Sequence, residues 1–179
     1  MEFEKHSKVS HPAPLVLDTM IEHMENIVPF LPSVEGIETL SREELSDTQL
    51  RIVRRWSGSA DKAPSAIRPF LSPEVMSWTD TAVWTPAEYK VDWTLTTSMG
   101  ELYKCSGSNY FEPHPDDPEN ATRMRVTGSL QVFPERLPGV PRFLGKRLAP
   151  QVEKFVVNLI TPNLTDVAIG LQGYLDDKG

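Results

Sequence analysis

Residues 141–174 read PRFLGKRLAPQVEKFVVNLITPNLTDVAIGLQGY. Leu144, Leu148, Val152, Phe155 and Leu159, then Ile160, Leu164, Val167, Leu171 and Tyr174, recur at spacings of three and four. That spacing lays an apolar stripe along one face of a long helix. Pro150 and Pro162 interrupt it. Pro162 lacks the N–H that would bond to residue 158, so the helix is expected to bend or split there. The stripe shifts by one residue at the same place, which points to a kink rather than a stop.

Working back from this helix, the apolar period falls to two between Val34 and Val132. Val34–Arg42 and Thr48–Trp56 read as a hairpin across the polar Glu43–Asp47 connection. Met76–Trp84 and Tyr89–Thr97 pair across Thr85-Pro86-Ala87-Glu88. Leu102–Glu112 and Thr122–Val132 pair across a proline-rich loop, Pro113 to Pro118. Upstream, Glu2–Val9 alternates as a first strand. Ser10-His11-Pro12 starts a helix with Pro12 in its first turn. Leu17, Met20, Ile21, Met24, Ile27 and Val28 form its stripe, and Pro29 and Pro32 end the region after a second short turn of helix.

These readings combine into an α+β fold. A seven-stranded curved antiparallel sheet surrounds the C-terminal helix, two short helices lie between strands 1 and 2, and one domain spans residues 1–179. Gly107 and Gly128, each inside a strand, are expected to mark bulges that curve the sheet. The Gly58–Pro73 connection, with Ile67, Phe70 and Leu71 among three prolines, has two readings: a lid, or a surface loop pinned by its own apolar residues.

With 39% hydrophobic and 24% charged residues, the chain has the composition of a soluble globular protein. Its formal charge of −7 disfavours a nucleic-acid partner, which calls for a basic face. No stretch approaches the roughly 18 apolar residues of a membrane span. Met1–Val9 lacks the apolar run of a secretory signal, and the single Cys105 leaves no internal disulfide. A cytoplasmic location is expected. His6, His11, His23 and His114 are scattered without ligand spacing, so neither a metal nor a cofactor is expected. His114 with Asp116 and Asp117 could hold a cation, but the prolines around them make an exposed turn the better reading, and Cys105 reads as a small buried hydrophobe.

The order strand, helix pair, six antiparallel strands, long C-terminal helix resembles the START-like, or helix-grip (SRPBCC-type), superfamily of lipid-binding and polyketide-cyclase-like proteins. A looser likeness links Arg54-Arg55-Trp56, the proline-containing connection and the tryptophan- and tyrosine-bearing strands to PRELI-like phospholipid carriers. The resemblance implies a cavity between the concave sheet and the last helix. These groups share no universal catalytic triad, so it supplies no catalytic residue. A curved sheet closed by one helix also leaves apolar space on physical grounds alone.

Trp56 shares a strand face with Leu50, Ile52 and Arg54; Trp78 and Trp84 share one with Asp80; Trp93 shares one with Val91 and Leu95. Such rings wall a pocket for a lipid or aromatic ligand, or else fill a packed core. Arg54 and Asp80 alternate with apolar neighbours and so point inward, toward each other or toward a ligand, or else belong to an outward-facing register. The candidate ligand-binding set is therefore Arg54, Trp56, Trp78, Asp80, Trp84, Trp93 and Asn109 from the sheet, with Phe155 and Leu159 from the helix. Arg136, Arg142, Lys146, Arg147 and Lys154 give the start of the last helix a local positive balance. That patch suits transient contact with an anionic membrane surface, or is simply a solvated face. The expected function is binding or transport of a lipid-like or other hydrophobic small molecule. The alternatives are a polyketide cyclase/aromatase-like enzyme and a protein-partner-binding module.

Overall fold

A computed structural model describes residues 1–61, 63–97 and 102–179; within the last helix the side chains of residues 142, 159 and 161–164 are not described. The strands are β1 (Glu2–Val9), β2 (Val34–Ser46), β3 (Gln49–Gly58), β4 (Ser77–Thr85), β5 (Lys90–Thr97), β6 (Tyr103–His114) and β7 (Asp117–Val132). They form one antiparallel sheet in the order β1-β7-β6-β5-β4-β3-β2. β1 and β2 therefore lie at opposite edges. The chain crosses between them through α1 (Ala13–Glu22) and a 3₁₀ helix (Met24–Phe30), whose Val16, Met20 and Ile27 are buried in the core.

The second helix, α2 (Arg142–Lys178), is continuous for 37 residues through both prolines, so Pro162 does not split it. The bend expected at Pro162, and the contributions of Leu159 and Leu164, lie outside the described residues. Val152, Phe155, Ile160, Val167, Leu171 and Tyr174 are buried, as the stripe requires. Gly170 and Gly173 let α2 approach the 3₁₀ segment. A Cβ at these positions would stand 2.7 Å from the Leu31 side chain and 2.7 Å from the Phe30 ring, respectively.

Several boundaries differ from the sequence reading. The Leu17–Val28 stripe is divided at His23, where the α-helical path ends and the 3₁₀ helix begins, and Pro12 caps α1 from outside instead of standing in its first turn. The β2–β3 hairpin runs through the supposed Glu43–Asp47 connection to Ser46 opposite Gln49, leaving a two-residue turn. Its far end is exposed on both faces, so it shows no apolar alternation. The backbone ladder and cross-strand pairs such as Glu43–Arg51 hold it. Likewise β6 and β7 extend through the proline-rich stretch to His114 opposite Asp117. Pro113 stands at a register irregularity near the hairpin end, where a missing N–H does least harm.

Gly107 and Gly128 are not bulges. They face each other in an unbroken register. A Cβ on Gly107 would lie 2.1 Å from the Thr127 carbonyl oxygen and 2.7 Å from the Trp93 ring; on Gly128 it would lie 2.5 Å from the Ser106 oxygen and 2.8 Å from the Phe3 ring. The pair permits a close backbone approach, and the neighbouring rings occupy the space the missing side chains leave. Register shifts lie instead at Glu35, Leu40 and Leu45 along β2–β3 and at the Pro113–His114 end of β6–β7.

Candidate functional site

Each of the four tryptophans is placed on the inner face of the sheet by strand alternation. In register, Trp56 is opposite Trp78, Ala82 opposite Trp93, and Trp84 opposite Val91. All four indoles are buried. Trp56 stacks on Trp78 with centroids 6.0 Å apart, and Trp84 stacks on Phe111 at 6.2 Å. Together they wall a cavity between the sheet, α1 with the 3₁₀ helix, and α2, with about 70 Å³ of room for the centre of a water-sized sphere.

Of the residues expected from the sequence, Arg54, Trp56, Trp78, Asp80, Trp84, Trp93 and Asn109 all line this cavity. Phe155 is buried in the core but is not among the lining residues; among the described residues of α2, Ile160 and Val167 reach the cavity. Leu159 lies outside the described residues. Met20, Met24, Ala82, Val91 and Leu95, like Ile160 and Val167, line the cavity and were not in the candidate set. The spacing of Met20 and Met24 marks them as core-facing, but nothing in the sequence says which part of the sheet the first helix crosses.

The polar groups are few and unequal. Arg54 is only 4% exposed; its Nη2 donates to the Ile21 carbonyl at 2.6 Å, and its Nε donates to Thr39 Oγ1 at 3.4 Å. Asp80 stands opposite Arg54 across β3 and β4. Neither a hydrogen bond nor an ion pair joins these two described residues, so the guanidinium offsets the carboxylate only through space. Burial pushes the Asp80 carboxyl up to about 7, and the Arg54 charge counteracts part of that rise. The same burial lowers the Arg54 pKa, with the nearby Asp80 and Glu25 carboxylates opposing it.

Trp93 Nε1 donates to Asn109 Oδ1 at 2.8 Å. Among the described residues, three other buried polar side-chain atoms have no hydrogen-bond partner: Asp80 Oδ1, Trp56 Nε1 and Trp84 Nε1. All three belong to cavity-lining residues. A buried polar atom without a hydrogen bond is costly, so the wall is built to accept polar contacts from within the cavity.

Solved structures of similar shape share this frame. TTHA0849 from Thermus thermophilus aligns over 100% of this chain and 99% of its own, with a TM-score of 0.68 and 18% identity. The Zhui aromatase/cyclase from a Streptomyces species aligns over 100% and 96%, with a TM-score of 0.64 and 15% identity. This chain has the START-like, helix-grip fold. Ara h 8.0201 shares the helix-grip architecture over 99% of this chain and 98% of its own, with a TM-score of 0.56 and 14% identity. No protein-family model matches the sequence, and no curated protein matches it.

Outside the grip, the Gly58–Pro73 connection turns inward. Ile67 is 0% exposed, and Phe70 and Leu71 pack partly buried against the core. Lys146, Arg147 and Lys154 are exposed on α2 together with Phe143, while the Arg142 side chain lies outside the described residues. No helix among the described residues is long and apolar enough to cross a membrane.

Proposed function

We propose that this protein binds a compact hydrophobic small molecule in the tryptophan-walled cavity between sheet and α2. The observation that carries the reading is the cavity wall itself: four buried indoles and several aliphatic side chains surround space instead of closing on one another. A largely apolar pocket with a few fixed polar groups is the usual architecture of a small-molecule site. Size narrows the class. The roughly 70 Å³ of room is about half of the approximately 150 Å³ cavity that holds one benzene ring, so the site takes a compact ligand of one ring at most, admitted as the flexible Met20 and Met24 side chains that line it give way, and not an extended acyl chain. The aromatase/cyclase of the same fold supports a small-molecule reading by analogy.

Native mass spectrometry and solvent extraction of the full chain test the reading, together with titration of an apolar fluorophore. A retained small molecule or saturable one-to-one binding is expected, weakened by Ala82→Leu, which fills the cavity from its floor. Binding that is absent, or unaffected by filling the cavity, would count against it.

A second reading, proton-transfer catalysis of the cyclase or aromatase type, is favoured by one feature. Asp80 sits in the cavity with its carboxyl near neutrality, where a group can both take and give a proton. Incubation with a reactive poly-β-ketone tests it: cyclised product should form with the wild type and be lost in Asp80→Asn. Equal product with the variant, or none with either, removes this reading.

A further inference from the structure

Three unpartnered polar atoms define more than an apolar hole. Asp80 Oδ1 is an acceptor without a donor, while Trp56 Nε1 and Trp84 Nε1 are donors without acceptors, and all three are buried. Asp80 and Trp56 belong to neighbouring strands, one residue pair apart along the inner face of the ladder: Arg54 is opposite Asp80, and Trp56 is opposite Trp78. They therefore stand diagonally on the same face of the sheet, within reach of one small ligand. We infer that the site selects a neutral aromatic ligand carrying a hydroxyl or N–H, which it donates to Asp80, and an oxygen or nitrogen that accepts from an indole N–H. This inference rests on the proposed binding function and specifies the chemistry of the ligand.

A phenolic hydroxyl meets both demands in one group, since it carries a donor hydrogen and acceptor lone pairs. A plain hydrocarbon satisfies neither and leaves the buried atoms orphaned. A cation is the competing ligand for a ring of indoles around a carboxylate. The ring contacts disfavour it, because Trp56 and Trp84 each have one ring face stacked on Trp78 or Phe111, and the Arg54 guanidinium shares the wall. What the indoles leave unsatisfied is their N–H edge, which attracts acceptors and repels cations.

The test compares phenol, anisole, toluene and benzylamine on the full wild-type chain by calorimetry, with indole fluorescence as a second readout. Anisole keeps the acceptor but lacks the donor; toluene lacks both; benzylamine brings a cation. Phenol should bind at least about tenfold more tightly than anisole or toluene, the effect of one hydrogen bond to a charged or near-charged acceptor. The preference should vanish in Asp80→Leu, while toluene binding persists. Equal affinity for phenol and anisole, or a preference for benzylamine, would overturn the inference and leave the binding function standing. Binding of none of the four would overturn both. Because the comparison among ligands uses the wild type, it does not depend on any variant folding.

Discussion

Replacing Asp80 by Asn keeps the shape of the side chain and removes its titration. The folded-state carboxyl lies at about 7 against a reference of 3.8. At roughly 1.4 kcal/mol per unit, a difference of about three units corresponds to about 4 kcal/mol. The sign follows from which state holds the proton. Between pH 4 and 7 the folded protein keeps the Asp80 proton while the unfolded chain releases it. The stability associated with this group is therefore fully present below 3.8 and is lost as the pH rises through about 7. Arg54 stays charged throughout, and the remaining carboxylates titrate alike in both proteins, so they cancel in the difference. Urea unfolding of wild type and Asp80→Asn at pH 4, 5, 6, 7 and 8 reads it directly. The variant should gain on the wild type by up to about 4 kcal/mol across that range. A difference that stays flat from pH 4 to 8 would show that Asp80 is solvated in the native state, and the account of a dry, unpartnered carboxylate would fail.

Arg54→Leu strands Asp80 without a countercharge and leaves the Ile21 carbonyl without its donor; destabilisation of roughly 3–5 kcal/mol is expected, largely relieved when Asp80→Leu is added. Equilibrium denaturation of the single and double variants checks both halves. Gly107→Ala places a Cβ against the backbone oxygen of Thr127, which cannot move aside like a flexible side chain. A loss of at least about 1–3 kcal/mol is expected, seen as a lowered melting temperature. Burial pushes the Cys105 thiol up to about 12. Labelling by a thiol reagent at pH 8 should therefore track global unfolding in urea, and rapid labelling of the native protein would contradict its placement.

The grip architecture was legible because it rests on periodicity. A long apolar stripe from Leu144 to Tyr174 and six period-two segments survive any detail of packing, and their order in the chain restricts the topologies available. Alternation placed Trp56 with Arg54, and Trp78 and Trp84 with Asp80, on shared strand faces but left an outward register open for the two charges; in the structure all of them, with Trp93, line the cavity. Periodicity carries no information where burial is absent. That is why the exposed ends of the β2–β3 and β6–β7 hairpins read as connections, although backbone ladders run through them.

What the sequence could not contain was distance. Whether four tryptophans fill a core or surround a space depends on how far apart the sheet and α2 stand. That separation depends on contacts remote in sequence, among them the close approach of Gly170 to Leu31 and of Gly173 to Phe30. Those same long-range placements put Ile160 and Val167 in the cavity and Phe155 in the core beside it. They also hold Arg54 to the Ile21 carbonyl instead of to the carboxylate across the ladder. The long helix was written in the spacing of its apolar residues; the space beneath it, and the unanswered hydrogen-bonding atoms that give that space its chemistry, arose only when distant segments packed.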